Sequence, residues 1–226
     1  MIHRMKRTII NTLLLLGATL CLNAQATRAQ EIEWGVRGGA NVSKLVGIVD
    51  AMPKTALYLG FAEAYLFNES WGIYSDQTIS AQGTRCLKDA NGVEMEYNYN
   101  YLNIPLLGFY QIPLDLNGDK RLRLLAGVQL GVLLNASYDY THPSVMGEGS
   151  VAGGGRFDRQ SFHAIEVGVA LGAQWFISPN AALELRYTLG ITQTHNGISN
   201  TLNGYYYISV PDNRNSVVQI GTTFLF

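Results

Sequence analysis

The segment AIEVGVALGAQWFI, residues 164–177, alternates strictly along its length. Ile165, Val167, Val169, Leu171, Ala173, Trp175 and Ile177 fall on one side. Glu166, Gly168, Ala170, Gly172, Gln174 and Phe176 fall on the other. A period of two is the signature of a β-strand with two unlike faces. The run is too short for a membrane helix, which needs roughly 20 apolar residues, but a membrane strand needs only about 9–11. The same alternation predicts eight strands, over roughly 34–44, 56–67, 71–83, 97–112, 121–136, 162–177, 181–194 and 215–226. The connections alternate in length. Those at 68–70, 113–120 and 178–180 are short; those at 45–55, 84–96, 137–161 and 195–214 are long and rich in turn formers.

Short turns at one end and long loops at the other predict an all-β fold: an eight-stranded antiparallel up-and-down transmembrane β-barrel. A soluble lipocalin-like barrel also has eight alternating strands, with its apolar face inside. Three features favour the membrane form. Glycine crowds the polar face (Gly35, Gly39, Gly127, Gly131, Gly168, Gly172, Gly190 and Gly221), which suits a narrow interior. Smooth aliphatic rows such as Leu122, Leu124, Val128, Leu130, Val132 and Leu134 occupy the other. Trp34, Trp71 and Trp175, joined by Tyr110, Phe224 and Phe226, all lie on the apolar face at the short-turn end, as an interfacial girdle requires. The interior is then expected to hold Arg37, Arg123 and Arg186 against Glu63, Asp76, Glu166 and Glu184, with Tyr65, Tyr101 and Phe109 as bulk.

Composition fits export. Residues 1–29 read as a signal peptide: basic MIHRMKR, an apolar core TIINTLLLLGATLCL, and small-residue cleavage sites after Ala26 or Ala29. A lipoprotein signal at Cys21 is the competing reading, but Leu20 is large for the position before a lipidated cysteine. Residues 30–226 form the barrel domain. Cleavage after Ala29 leaves twelve cations against 17 Asp and Glu, a net charge of −5, with Cys86 the remaining cysteine. An acidic balance with no basic block speaks against nucleic-acid binding, and one thiol allows no internal disulfide.

The stretches WGVRGGANVSKL at 34–45, WGIYSDQTISAQG at 71–83, YLNIPLLGFY at 101–110 and the closing SVVQIGTTFLF are similar to the PorT-like outer-membrane β-barrel family of Gram-negative bacteria, in that order. The resemblance implies an eight-stranded outer-membrane barrel. One branch of the family is linked to protein secretion. The family commonly carries Glu where Asn103 stands here, which implies one interior charge fewer.

No residue is assigned a catalytic, cofactor-binding or metal-binding role. The lumen charges could form an acid–base site, but charges removed from water must pair, which favours a salt-bridged plug. His142 and Ser144 are spaced as in some outer-membrane lipid hydrolases, yet Pro143 separates them and no acid is placed to orient the histidine. AspLeuAsnGlyAsp at 115–119 resembles the start of a calcium loop, but its twelfth position is Ala126 where a bidentate Glu is needed, so a turn is expected. His142, His163 and His195 lack metal spacing. GlyGlyGlyArg at 153–156 is expected to be a flexible loop, and Cys86 an ordinary thiol.

The expected partner is the lipid bilayer of the bacterial outer membrane. The chain is expected to be a monomer with both termini periplasmic. A protein partner would dock on loops 137–161 and 195–214, which carry Tyr138, Tyr140, Tyr205, Tyr206 and Tyr207. The functional expectation is a structural or interaction role. The alternatives are an accessory subunit of a secretion or envelope-assembly system and a lipid-modifying barrel enzyme.

Overall fold

The computed structural model describes residues 31–47, 51–86, 94–115, 119–143, 150–156, 163–194, 201–202, 205–206 and 213–226. Its strands are β1 (Glu31–Val46), β2 (Ala51–Leu66), β3 (Trp71–Cys86), β4 (Glu94–Pro113), β5 (Arg121–Pro143), β6 (Ser150–Arg156), β7 (Ile165–Ser178), β8 (Ala181–Gly190), β9 (Thr201–Leu202), β10 (Tyr205–Tyr206) and β11 (Arg214–Leu225). Eight of them form a closed antiparallel ring, β1–β2–β3–β4–β5–β7–β8–β11, and β11 returns to β1 through pairs such as Gly39↔Gly221. No helix among the described residues is long and apolar enough to cross a membrane. Closure lets each barrel strand pair on both sides, which lipid demands of any spanning structure.

The three short turns have local causes. Asn68 Oδ1 accepts from the backbone N–H groups of Ser70 and Trp71, both at 2.9 Å, and so closes the β2–β3 turn. Asp115 Oδ2 accepts from the N–H of Lys120 at 3.1 Å; this Asp turns the chain between β4 and β5. Asn180 gives its side-chain amide to the carbonyl of Leu225 at 3.0 Å, tying the β7–β8 turn to the final strand.

The other end differs from expectation. The strands run past the predicted boundaries: β1 reaches Val46 and β2 begins at Ala51, so the expected loop at 45–55 is mostly ladder. On β4 the outward positions above Leu102 are Asn100, Asn98 and Glu96, so pairing continues where the wall has turned polar. The expected loop at 137–161 contains the β5–β6 hairpin. GlyGlyGly is ladder and not a flexible loop: a Cβ on Gly153 would lie 2.4 Å from the Tyr140 hydroxyl, and one on Gly155 2.8 Å from that of Tyr138. Glycine is there so that two tyrosine rings can lie flat across the neighbouring strand.

The interior is layered. Near the turn end a cluster of Ala62, Ala64, Tyr74, Leu107, Phe109, Leu125 and Ala170 packs across the ring. Near the loop end Leu45, Tyr99, Tyr101 and Ala136 form another. A bulge sets the second cluster. Between Asn100 and Tyr101 the register on β5 jumps from Asn135 to Leu133, skipping Leu134. Ala136 and Leu133 then both pack against the tyrosines, while Leu134 stays outside.

Candidate functional site in the barrel lumen

Alternation turns Arg37 of β1, Asp76 of β3, and Glu184 and Arg186 of β8 inward, and all four are buried. Arg37 meets Asp76 at 2.7 Å and Glu184 at 2.8 Å. Arg186 meets the same Asp76 oxygen at 2.7 Å and the same Glu184 oxygen at 2.8 Å. The result is a neutral four-membered ring of alternating charge spanning the lumen. Gln174 and Thr223 donate to the second Glu184 oxygen, each at 3.1 Å, and Thr78 donates to Asp76 at 3.3 Å. Tyr58 and Tyr74 face the two guanidinium groups at 4.7 and 5.3 Å. Tyr58 fits because its neighbour is glycine: a Cβ on Gly221 would sit 2.2 Å from its hydroxyl.

A second network lies closer to the turn end. Arg123 is clamped between the rings of Phe109 and Phe176, at 4.6 and 4.7 Å. Its guanidinium reaches Glu33 at 2.6 Å and Gln111 at 2.7 Å. Arg121 meets the other Glu33 oxygen at 2.9 Å. Glu33 was not among the expected lumen residues, although it shares the parity of Gly35 and Arg37 and so was visible in the pattern.

Toward the loop end the lumen is polar and mostly uncharged. Tyr101 donates to Glu166 at 2.6 Å, and Thr188 to Gln129 at 3.3 Å. Asn215 donates to Gln82, and Asn41 to Ser80 at 2.9 Å. Asn103, Gly131 and Glu166 lie in one row across β4, β5 and β7. Gly131 leaves the space between the other two, and a water-sized cavity opens there. Glu166 supplies the carboxylate that lines this cavity, beside Asn103.

Two expected lumen residues face the other way. Glu63 and Tyr65 share the parity of Leu57, Leu59 and Phe61 and lie on the outer wall. The inward positions of β2 are Tyr58, Gly60, Ala62, Ala64 and Leu66. The reason is room: the alanines leave space for Tyr74, Leu107 and Phe109 in the turn-end cluster. Gln77 of β3 donates to Glu63 at 3.2 Å on that outer wall.

The lumen thus brings Arg37, Arg123, Arg186, Asp76, Glu166 and Glu184 inside, but not Glu63. It holds them in separate networks. His142 pairs through its backbone with Val151 in the β5–β6 hairpin, and Ser144 lies outside the described residues. Tyr138 and Tyr140 stack on one another at 6.5 Å. Tyr205 and Tyr206 form β10, and Tyr207 lies outside the described residues. His195 also lies outside them. Among the described residues no group of three His, Cys, Asp or Glu side chains is placed to hold a metal. Beyond the apolar band, at the loop end, Lys54 and Arg85 both pair with Glu96, at 2.7 and 3.0 Å. The hydrogen bond from Lys54 holds the Glu96 carboxyl below the usual carboxylate range.

The outer wall completes the assignment. Trp34, Trp71, Trp175, Tyr110, Phe224 and Phe226 are all exposed at the turn end, and Trp71 packs against Tyr110 at 4.6 Å. The sequence pattern of the outer membrane protein beta-barrel domain family matches residues 23–196. The chain belongs to that family. It is a transmembrane β-barrel of the bacterial outer membrane, embedded in the lipid bilayer. Among solved structures it is similar to Ail, the attachment invasion locus protein of Yersinia pestis, in complex with the heparin analogue sucrose octasulfate. That match has 14% identity and a TM-score of 0.44 and covers 87% of this chain and 99% of that one. OprG from Pseudomonas aeruginosa matches at 16% identity and a TM-score of 0.43, over 88% and 97% of the two chains. The outer membrane protease OmpT from Escherichia coli matches at 13% identity and a TM-score of 0.32, over 87% and 96%. No curated protein matches.

Proposed function

We propose that this protein is a closed, non-conducting barrel that serves the envelope as a structural or interaction protein, with its loop end as the contact surface. The observation that carries this reading is the Arg37–Asp76–Arg186–Glu184 ring. An eight-stranded barrel has an interior just wide enough for side chains to fill. Here the fill is neutral and cross-braced, with the Arg123 clamp beneath it and tyrosines above. A sealed lumen leaves the loop end and the outer wall as working surfaces. The stacked Tyr138 and Tyr140 on a paired hairpin offer rigid apolar faces with polar tips, which suits protein contact. No catalytic role is proposed.

The finer assignments belong to the same reading. The chain is exported on residues 1–29, cut after Ala26 or Ala29, and sits with both termini in the periplasm. An accessory role in secretion or envelope assembly is the alternative reading, and it rests on the resemblance of the sequence motifs alone. Planar-bilayer recording of the purified protein tests the seal; the expected trace is quiet, and stable large single-channel steps overturn the reading. An impermeant thiol reagent on intact cells tests the orientation. A cysteine at Gly154 is expected to label and one at Asn117 to stay protected; the reverse inverts it.

A further inference from the structure

We propose that the cavity beside Glu166 is a binding site for one small monovalent cation, such as potassium or sodium, with the Glu166 carboxylate as its charged ligand. The lumen treats its carboxylates unequally. Asp76 and Glu184 each meet two guanidinium groups, and Glu33 meets another two. Glu166 is only 7% exposed, yet among the described residues no lysine, arginine or histidine lies within ion-pair distance of it. Tyr101 donates to one of its oxygens at 2.6 Å, which steadies the charge without balancing it. A carboxylate withdrawn from water is costly unless a cation accompanies it.

The surroundings supply the other ligands. The water-sized cavity is lined by Asn103 of β4, Gln129 and Gly131 of β5, and Asn215 of β11, together with Glu166 of β7. Asn215 is 6% exposed and donates its amide N–H to Gln82, while its Oδ1 has no hydrogen-bond partner. A buried oxygen left in that state is destabilising. Asn103 is also buried, and its Oδ1 faces the gap left by Gly131: a Cβ there would stand 3.3 Å from that oxygen and 3.7 Å from the Glu166 Cβ. Gln129 Oε1 accepts one hydrogen bond and keeps a second lone pair. The set is one carboxylate and three amide oxygens, a hard, oxygen-only environment. Charge fixes the valence. One carboxylate balances one positive charge, whereas divalent sites gather more carboxylates and six or more oxygens. The Asn103 nitrogen lacks a partner too and would favour water at its end of the cavity. Water, however, leaves the Glu166 charge unbalanced. The proposal departs from the absence of metal ligands expected from sequence. It rests on the burial of Glu166 and not on the contact surface proposed above.

The test uses the full-length protein as purified from outer membranes, folded in phosphatidylcholine vesicles, a lipid of no net charge. Urea unfolding is compared in potassium, sodium and choline chloride at one ionic strength; choline is too large for the cavity. At about ten times the half-saturating concentration of potassium or sodium, the folded-to-unfolded ratio is expected to rise about elevenfold over that in choline. Glu166→Gln keeps the shape and drops the charge, and is expected to lose this difference. Gly131→Ala keeps the carboxylate and fills the cavity, and is expected to lose it as well. Infrared spectroscopy of the parent protein is the second readout and needs no variant. A protonated-carboxyl band seen in choline chloride is expected to convert to a carboxylate band in potassium or sodium chloride. Equal stability in all three salts, a cation response that survives in Glu166→Gln, or a protonated-carboxyl band that persists in potassium and sodium chloride overturns the proposal.

Discussion

Removing the charge of Asp76 tests the lumen ring most directly. One Asp76 oxygen takes a hydrogen bond from Arg37 and another from Arg186, both at 2.7 Å. At an effective dielectric near 20, each such attraction is worth about 4 kcal/mol, so Asp76→Asn forfeits about 8 kcal/mol gross. The desolvation penalty that Asp76 no longer bears returns several kcal/mol. The net expected loss is about 3–5 kcal/mol, the usual cost of leaving a buried charge without its counterpart. Arg186→Met removes one cation and is expected to cost a similar amount. The double variant restores neutrality, with Arg37 facing Glu184 alone, so its cost should fall short of the summed singles by about 2 kcal/mol. Urea unfolding in lipid vesicles, read by tryptophan fluorescence, gives all three numbers. The reasoning is refuted if each single costs under about 1 kcal/mol and the double is additive. That outcome means the charges are solvated by a wet channel and do not brace one another.

On the outer wall, Leu185→Arg should cost about 2–4 kcal/mol near the midplane, and the lumen-facing Gln129→Arg less; equal costs in the same unfolding assay would contradict the assignment of faces. Gly153→Leu should push the Tyr140 ring off β6 and strip hydrogen-exchange protection from 150–156, while the barrel midpoint stays put; unchanged protection would show that the rings do not need the glycines. The pH response of the loop end has a definite sign. Glu96 is held below its unfolded value, so its pairing with Lys54 contributes above the ordinary carboxylate range and is lost as pH falls through the lowered value. NMR titration of the Glu96 carboxyl should show its midpoint rise in Lys54→Met, and an unmoved midpoint would assign the shift elsewhere.

Much of the lumen was legible because alternation assigns faces wherever the two differ sharply. On β8, Glu184 and Arg186 sit between Leu183, Leu185 and Tyr187, and parity alone turns them inward. On β2 the faces do not differ in that way. Both are largely apolar, and the one carboxylate lies on the outside. What decides β2 is volume: Ala62 and Ala64 face bulky rings from other strands, a fact that belongs to the closed ring and not to the segment. The bulge at Leu134 was equally hidden, since a register jump depends on the partner strand. The glycines at 153–155 suggested mobility only because the tyrosines they accommodate lie at least thirteen residues away, across a hairpin. Glu33, by contrast, shares its parity with Arg37 and could have been placed by it.

The seam between β1 and β11 bears on how the chain is assembled. It pairs Gly35 with Leu225 and Arg37 with Thr223, nearly two hundred residues apart, while every other barrel seam joins strands close in sequence. Until that seam forms, the sheet has two raw edges, each a template for wrong pairing. Local hairpins can appear early, but closure waits on the most distant contact and sets the pace. A chain lacking β11 would keep both edges open, and lipid would reject its unpaired backbone. Commitment to the bilayer is therefore a late, all-or-none event, and the polypeptide must be kept from aggregating until its first and last strands meet.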